Sequence, residues 1–188
     1  MRECVLKWLK ENVSEHRITH ILGVEKMSVE LANYHGVNQE KAAQAGLMHD
    51  LAKFFPPPKL LSMAQTEGLE LDSVFLHNPH LLHADVSAIV AREEFGVEDP
   101  EILEAIRNHT LGKPFMDKLS CIVFLADALE VNRGDSEELE KMRRVSQHHL
   151  HKAVRQTCDY ALHHLLNNQK TIHPRAILTR NWALQFSR

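Results

Sequence analysis

The sequence has few of the features that mark several common protein classes. Its three cysteines, Cys4, Cys121 and Cys158, lie far apart and form no Cys-x-x-Cys pair. This spacing argues against a disulfide framework and against a structural zinc site, and it favours a reducing compartment. Repeats, low-complexity tracts and domain linkers are also missing from the 188 residues, so we expect a single domain over residues 1–188.

Long apolar runs are missing as well. Lysine and glutamate residues interrupt the first 15 positions, which is unlike a signal peptide, and no later run approaches the length of a membrane span. The net charge is −3, with acidic and basic residues interspersed, and only 6% of the residues are aromatic. A uniformly basic surface or a base-stacking platform for nucleic acid is therefore not expected. We expect a soluble, cytoplasmic protein with no membrane or nucleic-acid partner.

Alternation with period two is almost absent, whereas apolar residues at helical spacing recur between helix-boundary residues such as Ser14, Gly36 and Asn38. This pattern predicts an all-α fold. The motifs described below fall within a core at 17–133, and C-terminal helices follow within 136–185. The predicted helices cover 2–13, 15–35, 39–55, 60–67, 83–95, 100–109, 119–129, 136–145, 147–166 and 174–185.

The stretch AGLMHDLAK at 45–53 places an imidazole and a carboxylate side by side, at His49 and Asp50. A neutral imidazole and a carboxylate suit divalent iron, manganese or zinc. The apolar and small residues around them predict that the third helix carries this motif into the core, where an isolated ionised Asp50 is costly and needs a cation as partner. Lys53 would lie one helical turn further on, with its ammonium placed to hold a phosphate.

Further histidines and acids occur in apolar surroundings on other predicted helices. They are His20, His83, His109 and Asp127, and the cations Arg17, Lys53 and Arg133 accompany them. Taken alone, each histidine or acid is explained more simply as a core residue satisfied by hydrogen bonds. Six such groups and three cations in one chain of this size instead indicate a common site.

These residues resemble the HD-domain metal-dependent phosphohydrolases, whose pattern is H…HD…H…H…D on a helical bundle, and within them the YqeK type. The resemblance covers 17–133. Its blocks are Arg17-x-x-His20-x-x-Gly23-Val24, Ala45-Gly46-Leu47-Met48-His49-Asp50-x-x-Lys53, Leu82-His83-Ala84, Asn108-His109-Thr110-x-Gly112 and Ala126-Asp127-x-x-Glu130-x-x-Arg133. A bare His-Asp dipeptide is a weak signal, but the Ala-Gly-x-x-His-Asp and His-Thr-x-Gly blocks in this order are specific.

The resemblance implies a single-domain HD-type helical bundle that cleaves diadenosine tetraphosphate symmetrically to two ADP, by attack of a metal-activated hydroxide on a phosphoanhydride. It implies iron as the metal, as one or two ions, with manganese or zinc as alternatives. The metal ligands that it implies are His20, His49, Asp50 and Asp127. The catalytic residues are Asp50, Lys53, His83 and His109. The residues around the nucleotide are Arg17, His49, Asp50, Lys53, His83, His109, Thr110, Asp127 and Arg133.

Several alternatives stay open at the level of sequence. His83 and His109 suit either a second metal ion or phosphate oxygens. The same scaffold suits another nucleotidase or phosphodiesterase reaction, or a noncatalytic nucleotide sensor, and a homodimer is left open. Histidines also cluster on the C-terminal helices, but no carboxylate recurs beside them, so a solvated or packed face is the better interpretation. These histidines are His148, His149, His151, His163 and His164.

Overall fold

The computed structural model describes residues 1–187, and in this part of the chain it contains α-helices and two short 3₁₀ helices but no strand. The all-α prediction is therefore confirmed. The α-helices are α1 (Arg2–Asn12), α2 (Glu15–His35), α3 (Gln39–Met48), α4 (Pro57–Thr66), α5 (Ser73–His77), α6 (His83–Phe95), α7 (Pro100–Asn108), α8 (Lys118–Leu129), α9 (Glu137–Ser146), α10 (Leu150–Asn167) and α11 (Pro174–Gln185).

Ser14, Asn38 and Gly36, which were predicted at helix boundaries, lie there in the structure. Asn38 accepts hydrogen bonds from the first backbone N–H groups of α3, and Asp117 accepts one from Ser120 at the start of α8. Gly36 ends α2 in the left-handed conformation, with φ of 65°. The prediction missed α5, because it placed no helix between 67 and 83.

The third helix is shorter than predicted, and the correction concerns the HD motif itself. α3 ends at Met48, and 49–54 form successive turns rather than a further helical turn. The backbone N–H of Lys53 bonds the Asp50 carbonyl three residues back, and the N–H of Ala52 donates to Ser87 Oγ of α6 at 2.9 Å. The chain leaves the helix because a side chain of another helix takes over one of its backbone groups.

The core is built around α2, α3 and α8. α2 and α3 approach closely at Gly46, where an added Cβ would lie 2.9 Å from Ser28 Oγ and 3.0 Å from the Glu25 Cα. α8 is buried almost along its whole length, as its apolar sequence predicts. α6 and α7 pack on each other and on α3, and α7 also packs on α8. α9 and α10 pack on α8, and α11 packs on α10. Across 1–187, no helix combines the length and the apolar character that crossing a membrane requires.

Candidate metal centre

The structure brings six side chains together from five helices that are distant in sequence. They are His20 of α2, His49 and Asp50 after α3, His83 at the start of α6, His109 after α7 and Asp127 of α8. Five of them are buried, with 5% or less of the residue exposed, and the Asp127 side chain is 19% exposed. The site therefore lies inside the bundle, with Asp127 nearest to solvent.

Three of the imidazoles are held in the same way by their own helix ends. His49 Nδ1 donates to the Gly46 carbonyl at 2.7 Å, and His109 Nδ1 donates to the Ile106 carbonyl at 2.8 Å. His83 Nδ1 donates to the carbonyl of the residue three positions earlier at 2.6 Å. Because a carbonyl only accepts, each Nδ1 must carry the proton. In its neutral form each imidazole therefore turns an unprotonated Nε2 lone pair towards the site, as a metal ligand requires.

Asp50 lies at the middle of the cluster. Its Oδ2 is 3.5 Å from His49 Nε2, and its Oδ1 is 3.3 Å from His83 Nε2 and 3.5 Å from His109 Nε2. Ligand atoms of His20, His49 and Asp50 lie within 4.8 Å of one another, and the same holds for Asp50, His83 and His109. The two groups of possible ligands share one carboxylate.

Two buried atoms of the cluster have no hydrogen-bond partner. His49 Nε2 and Asp50 Oδ1 are both buried and accept no hydrogen bond, since the nearest histidines carry their protons on the far nitrogen. An unsatisfied buried polar atom costs about 1–3 kcal/mol. A divalent cation would satisfy both atoms at once, so imidazole nitrogens and carboxylate oxygens of this kind fit such an ion.

The protonation states fit a cation as well. Burial alone would raise the pKa of Asp50 and of Asp127, but the facing histidine side chains hold both well below their usual range. Burial lowers the pKa of His109 to about 4, so this imidazole is neutral near pH 7. His49 differs: burial opposes its charge, yet the Asp50 carboxylate raises its pKa overall, so a proton competes with a metal for Nε2.

Sequence reasoning assigned no role to Glu130, which is 1% exposed and holds the fourth imidazole. Its Oε1 accepts the proton of His20 Nδ1 at 2.9 Å, while Oε2 accepts from the backbone N–H of Asn132 at 2.7 Å. A Cβ on Gly23 would lie 2.3 Å from the same carboxylate, which explains the glycine. A signal was available, because Glu130 follows Asp127 by three residues and comes directly after the same apolar helix.

The predicted phosphate-binding residues lie on the solvent side of this cluster. Arg17 Nη1 is 3.0 Å from Asp50 Oδ2, and Arg133 Nη2 is 2.5 Å from Asp127 Oδ1. Lys53 Nζ lies 3.0 Å and Thr110 Oγ1 3.1 Å from the same atom, Nε2 of His83. The three cationic side chains are 22 to 40% exposed, so a ligand from solvent meets them before it reaches Asp50.

The C-terminal histidines form a packed and solvated face, as predicted. His151 packs against Trp182, with ring centroids 5.2 Å apart, and His148 lies 6.3 Å from Tyr34. Of the four clustered with His151, all are exposed, and in the described residues none belongs to a group of three possible metal ligands. A hollow of about 450 Å³ beside His148 and Lys152 contains none of the six residues of the cluster.

Comparison with known proteins gives a consistent result. A family model described as "HD domain" matches residues 17–132. The chain is 34% identical over 186 residues to "Bis(5'-nucleosyl)-tetraphosphatase, symmetrical" of Bacillus subtilis (strain 168), covering 99% of both chains. It is 35% identical to the protein of the same name from Halalkalibacterium halodurans, covering 95% of both. A Clostridium acetobutylicum structure titled "predicted HD superfamily hydrolase involved in NAD metabolism" is 31% identical, with a TM-score of 0.93 over 98% of this chain and 97% of that one.

Proposed function

Because the chain belongs to the HD domain family, we propose that it is a metal-dependent hydrolase that cleaves diadenosine tetraphosphate symmetrically, consuming one water and releasing two ADP. The observation that carries this proposal is the near-full-length similarity to two relatives named symmetrical tetraphosphatases. It is supported by the cluster of imidazoles and carboxylates around Asp50. The same similarity favours this reaction over the other nucleotidase, phosphodiesterase and sensor functions that the scaffold alone would permit.

We propose that two divalent cations bind the cluster and that the ions are iron. His20, His49, Asp50 and Asp127 would hold one, while Asp50, His83 and His109 would hold the other; the two groups of three mutually close ligand atoms around Asp50 support this division. When bound, such ions lower the pKa of water and polarise a phosphoryl group. Nitrogen and oxygen donors suit iron, manganese and zinc alike, so metal analysis after anaerobic purification identifies the ion and its number per chain.

The charges around the cluster support an anionic substrate. Three carboxylates and three cationic side chains meet there: Asp50, Asp127 and Glu130 against Arg17, Lys53 and Arg133. Without metal, the three negative charges of the carboxylates therefore equal the three positive charges of the cationic side chains. Divalent ions would leave the site with excess positive charge, which attracts a polyphosphate. Both arginines bond carboxylate oxygens that would ligate metal, so metal binding would free their guanidinium groups for phosphate oxygens.

The placement of these cations supports cleavage in the middle of the phosphate chain. A cleft of about 160 Å³ opens beside His20, between Arg17 and Arg133, with Thr19 and Asn132 among its other lining residues. Two arginines and Lys53 can hold about two phosphates by bidentate and point-charge contacts. A half of ADP size gripped in this way would present its outer phosphate to the cluster, and the other ADP would leave towards solvent.

The products test this proposal. Diadenosine tetraphosphate incubated with the metal-loaded chain is expected to give ADP alone at an early time point, resolved by anion-exchange chromatography. ADP without ATP or AMP supports cleavage between the two central phosphates. An equimolar mixture of ATP and AMP would show an asymmetric cut and contradict the proposal. The absence of turnover by metal-loaded protein would instead favour the sensor.

Lys53 is expected to serve the phosphates and not the metal. In Lys53→Met, metal content should stay near that of the unsubstituted chain, while kcat/KM falls about 10- to 100-fold, because one charge-assisted hydrogen bond to phosphate is lost. Lys26→Met is the matched control, since Lys26 is a largely exposed lysine on α2 whose only described ion pair is a 4.0 Å contact with Glu30. Loss of metal in Lys53→Met, or an equal loss of turnover in the control, would contradict this role.

Three further parts of the proposal concern the whole protein. The described cysteines are free, with Cys121 and Cys158 buried and Cys4 exposed, which supports the expectation of a reducing, cytoplasmic compartment. A single domain over residues 1–188 is proposed because the sequence contains no repeat, low-complexity tract or domain linker. A homodimer is the alternative to a monomer, and sedimentation of the metal-loaded chain distinguishes the two.

A further inference from the structure

The C-terminal helix α11 lies beyond residues 17–132, which match the family model, yet it contacts the segment that carries His109. Arg175, near the start of α11, is the residue that makes most of this contact. Its Nε donates to the Gly112 carbonyl at 2.6 Å, and its Nη2 donates to the Arg107 carbonyl at 2.9 Å. One guanidinium therefore bonds the chain on both sides of His109.

These bonds satisfy carbonyls at the end of α7 and just after it. A helix end leaves its last carbonyls without intrahelical partners, and a cation near that end is favourable. The Asn108 carbonyl accepts from the Gly112 N–H at 2.9 Å, which closes the turn, and the Arg107 and Gly112 carbonyls are taken by Arg175. The turn is held in one conformation because its carbonyls have partners.

A second residue of α11 fixes the same turn. Thr179 lies one helical turn after Arg175, and its Oγ1 is 2.9 Å from both the Leu111 carbonyl and the Arg175 carbonyl, which share its one proton. Gly112 has a φ of +62°, and a Cβ there would lie 2.5 Å from Thr179 Cγ2. The backbone of 109–112 and the face of α11 are thus in direct contact, with no room for a side chain between them.

Arg175 also reaches the helix that carries His83. Its Nη1 lies 3.4 Å from Oδ2 of Asp85, which is 6% exposed and follows His83 by two residues. The same guanidinium therefore bonds α6 next to one imidazole and the end of α7 next to the other. The two Nε2 atoms lie 3.1 Å apart, and both face Asp50 Oδ1.

We propose that Arg175 is a positioning residue, which fixes His83 and His109 relative to each other so that both imidazoles meet Asp50. It contacts none of the six cluster residues through its side chain, and it acts through Asp85 and the turn 107–112. The C-terminal helices would then complete the site, not merely cover the bundle. The activity consequence rests on the proposed function, whereas the placement of the imidazoles does not.

The test compares Arg175→Met with Arg180→Met in the full chain loaded with zinc. Arg180 lies on the same helix but pairs with Asp159 of α10, at 2.7 Å, away from the turn. Imidazole signals are recorded by ¹H–¹⁵N NMR, and the His109 Nδ1–H is assigned by its absence in His109→Gln. We expect Arg175→Met to shift this proton or lose it to exchange, while Arg180→Met leaves it in place.

Turnover of diadenosine tetraphosphate supplies the second measurement. In Arg175→Met, kcat is expected to fall about 100-fold with a smaller change in KM, since a displacement of about 1 Å at the chemistry costs on that order. Arg175→Lys keeps the positive charge but lacks the planar guanidinium, so its kcat should lie between those of Arg175→Met and the unsubstituted chain. It replaces Arg175→Met in the test if that variant does not fold. An unmoved His109 signal, or equal effects of the two methionine variants, would overturn the proposal. If the unsubstituted chain does not cleave the substrate, the proposed function fails and the NMR comparison still decides the role of Arg175.

Discussion

Replacing Asp50 by alanine is expected to remove both metal ions and all measurable turnover while leaving most of the helicity. Asp50 is the one residue shared by the two groups of possible ligands, and its two oxygens face His49, His83 and His109 at 3.3 to 3.5 Å. Replacing a partner that only orients a ligand costs about 10- to 100-fold in metal affinity. Loss of a charged ligand common to both ions should cost more.

Metal content per chain, activity and circular dichroism measure this outcome together. Asp159→Ala is the matched control, because it removes the same charge from an ion pair between α10 and α11 that includes no residue of the cluster. Metal bound at the level of the control in Asp50→Ala would refute the role given to Asp50. Loss of helicity along with the metal would instead make Asp50 a residue of the fold.

The sequence predicted the members of the site better than the local structure that presents them. His49 and Asp50 were expected on a helix because 45–53 are apolar and small, which is a local pattern. The helix stops at Met48 because the backbone N–H of Ala52 donates to Ser87, which lies thirty-five residues further along the chain. A partner at that distance along the chain leaves no local signal, so boundaries of this kind are the least predictable part of the fold.

The same limit explains why Glu130 and Arg175 received no role. Each was visible as a residue type, but its importance depends on which distant atom it meets: His20 Nδ1 in one case, the carbonyls around His109 in the other. The ligand-type residues could be collected from the sequence because a buried charge or imidazole needs an explanation wherever it occurs. The groups that orient them are ordinary hydrogen-bonded residues until the fold is known.

Asp127→Asn separates the two proposed ions and is expected to have the second largest effect. Asp127 Oδ1 lies 3.1 Å from His20 Nε2 and 3.8 Å from His49 Nε2. No ion pair in the described residues joins it to His83 or His109. The amide has the same size and still accepts the hydrogen bond from Arg133, so the fold should be kept while the negative charge is lost.

We therefore expect Asp127→Asn to retain one metal ion per chain, at Asp50, His83 and His109, where Asp50→Ala retains none. Turnover should fall to background, because the ion on the His20 side is missing and the excess positive charge that attracts the polyphosphate is reduced. Counting ions by mass spectrometry under native conditions distinguishes the two variants directly. Two ions in Asp127→Asn would make this carboxylate a partner of Arg133 only. No ion in Asp127→Asn would mean that neither site fills without the other. The shared ligand Asp50, which this variant keeps, would then not be enough to explain how the two sites are coupled.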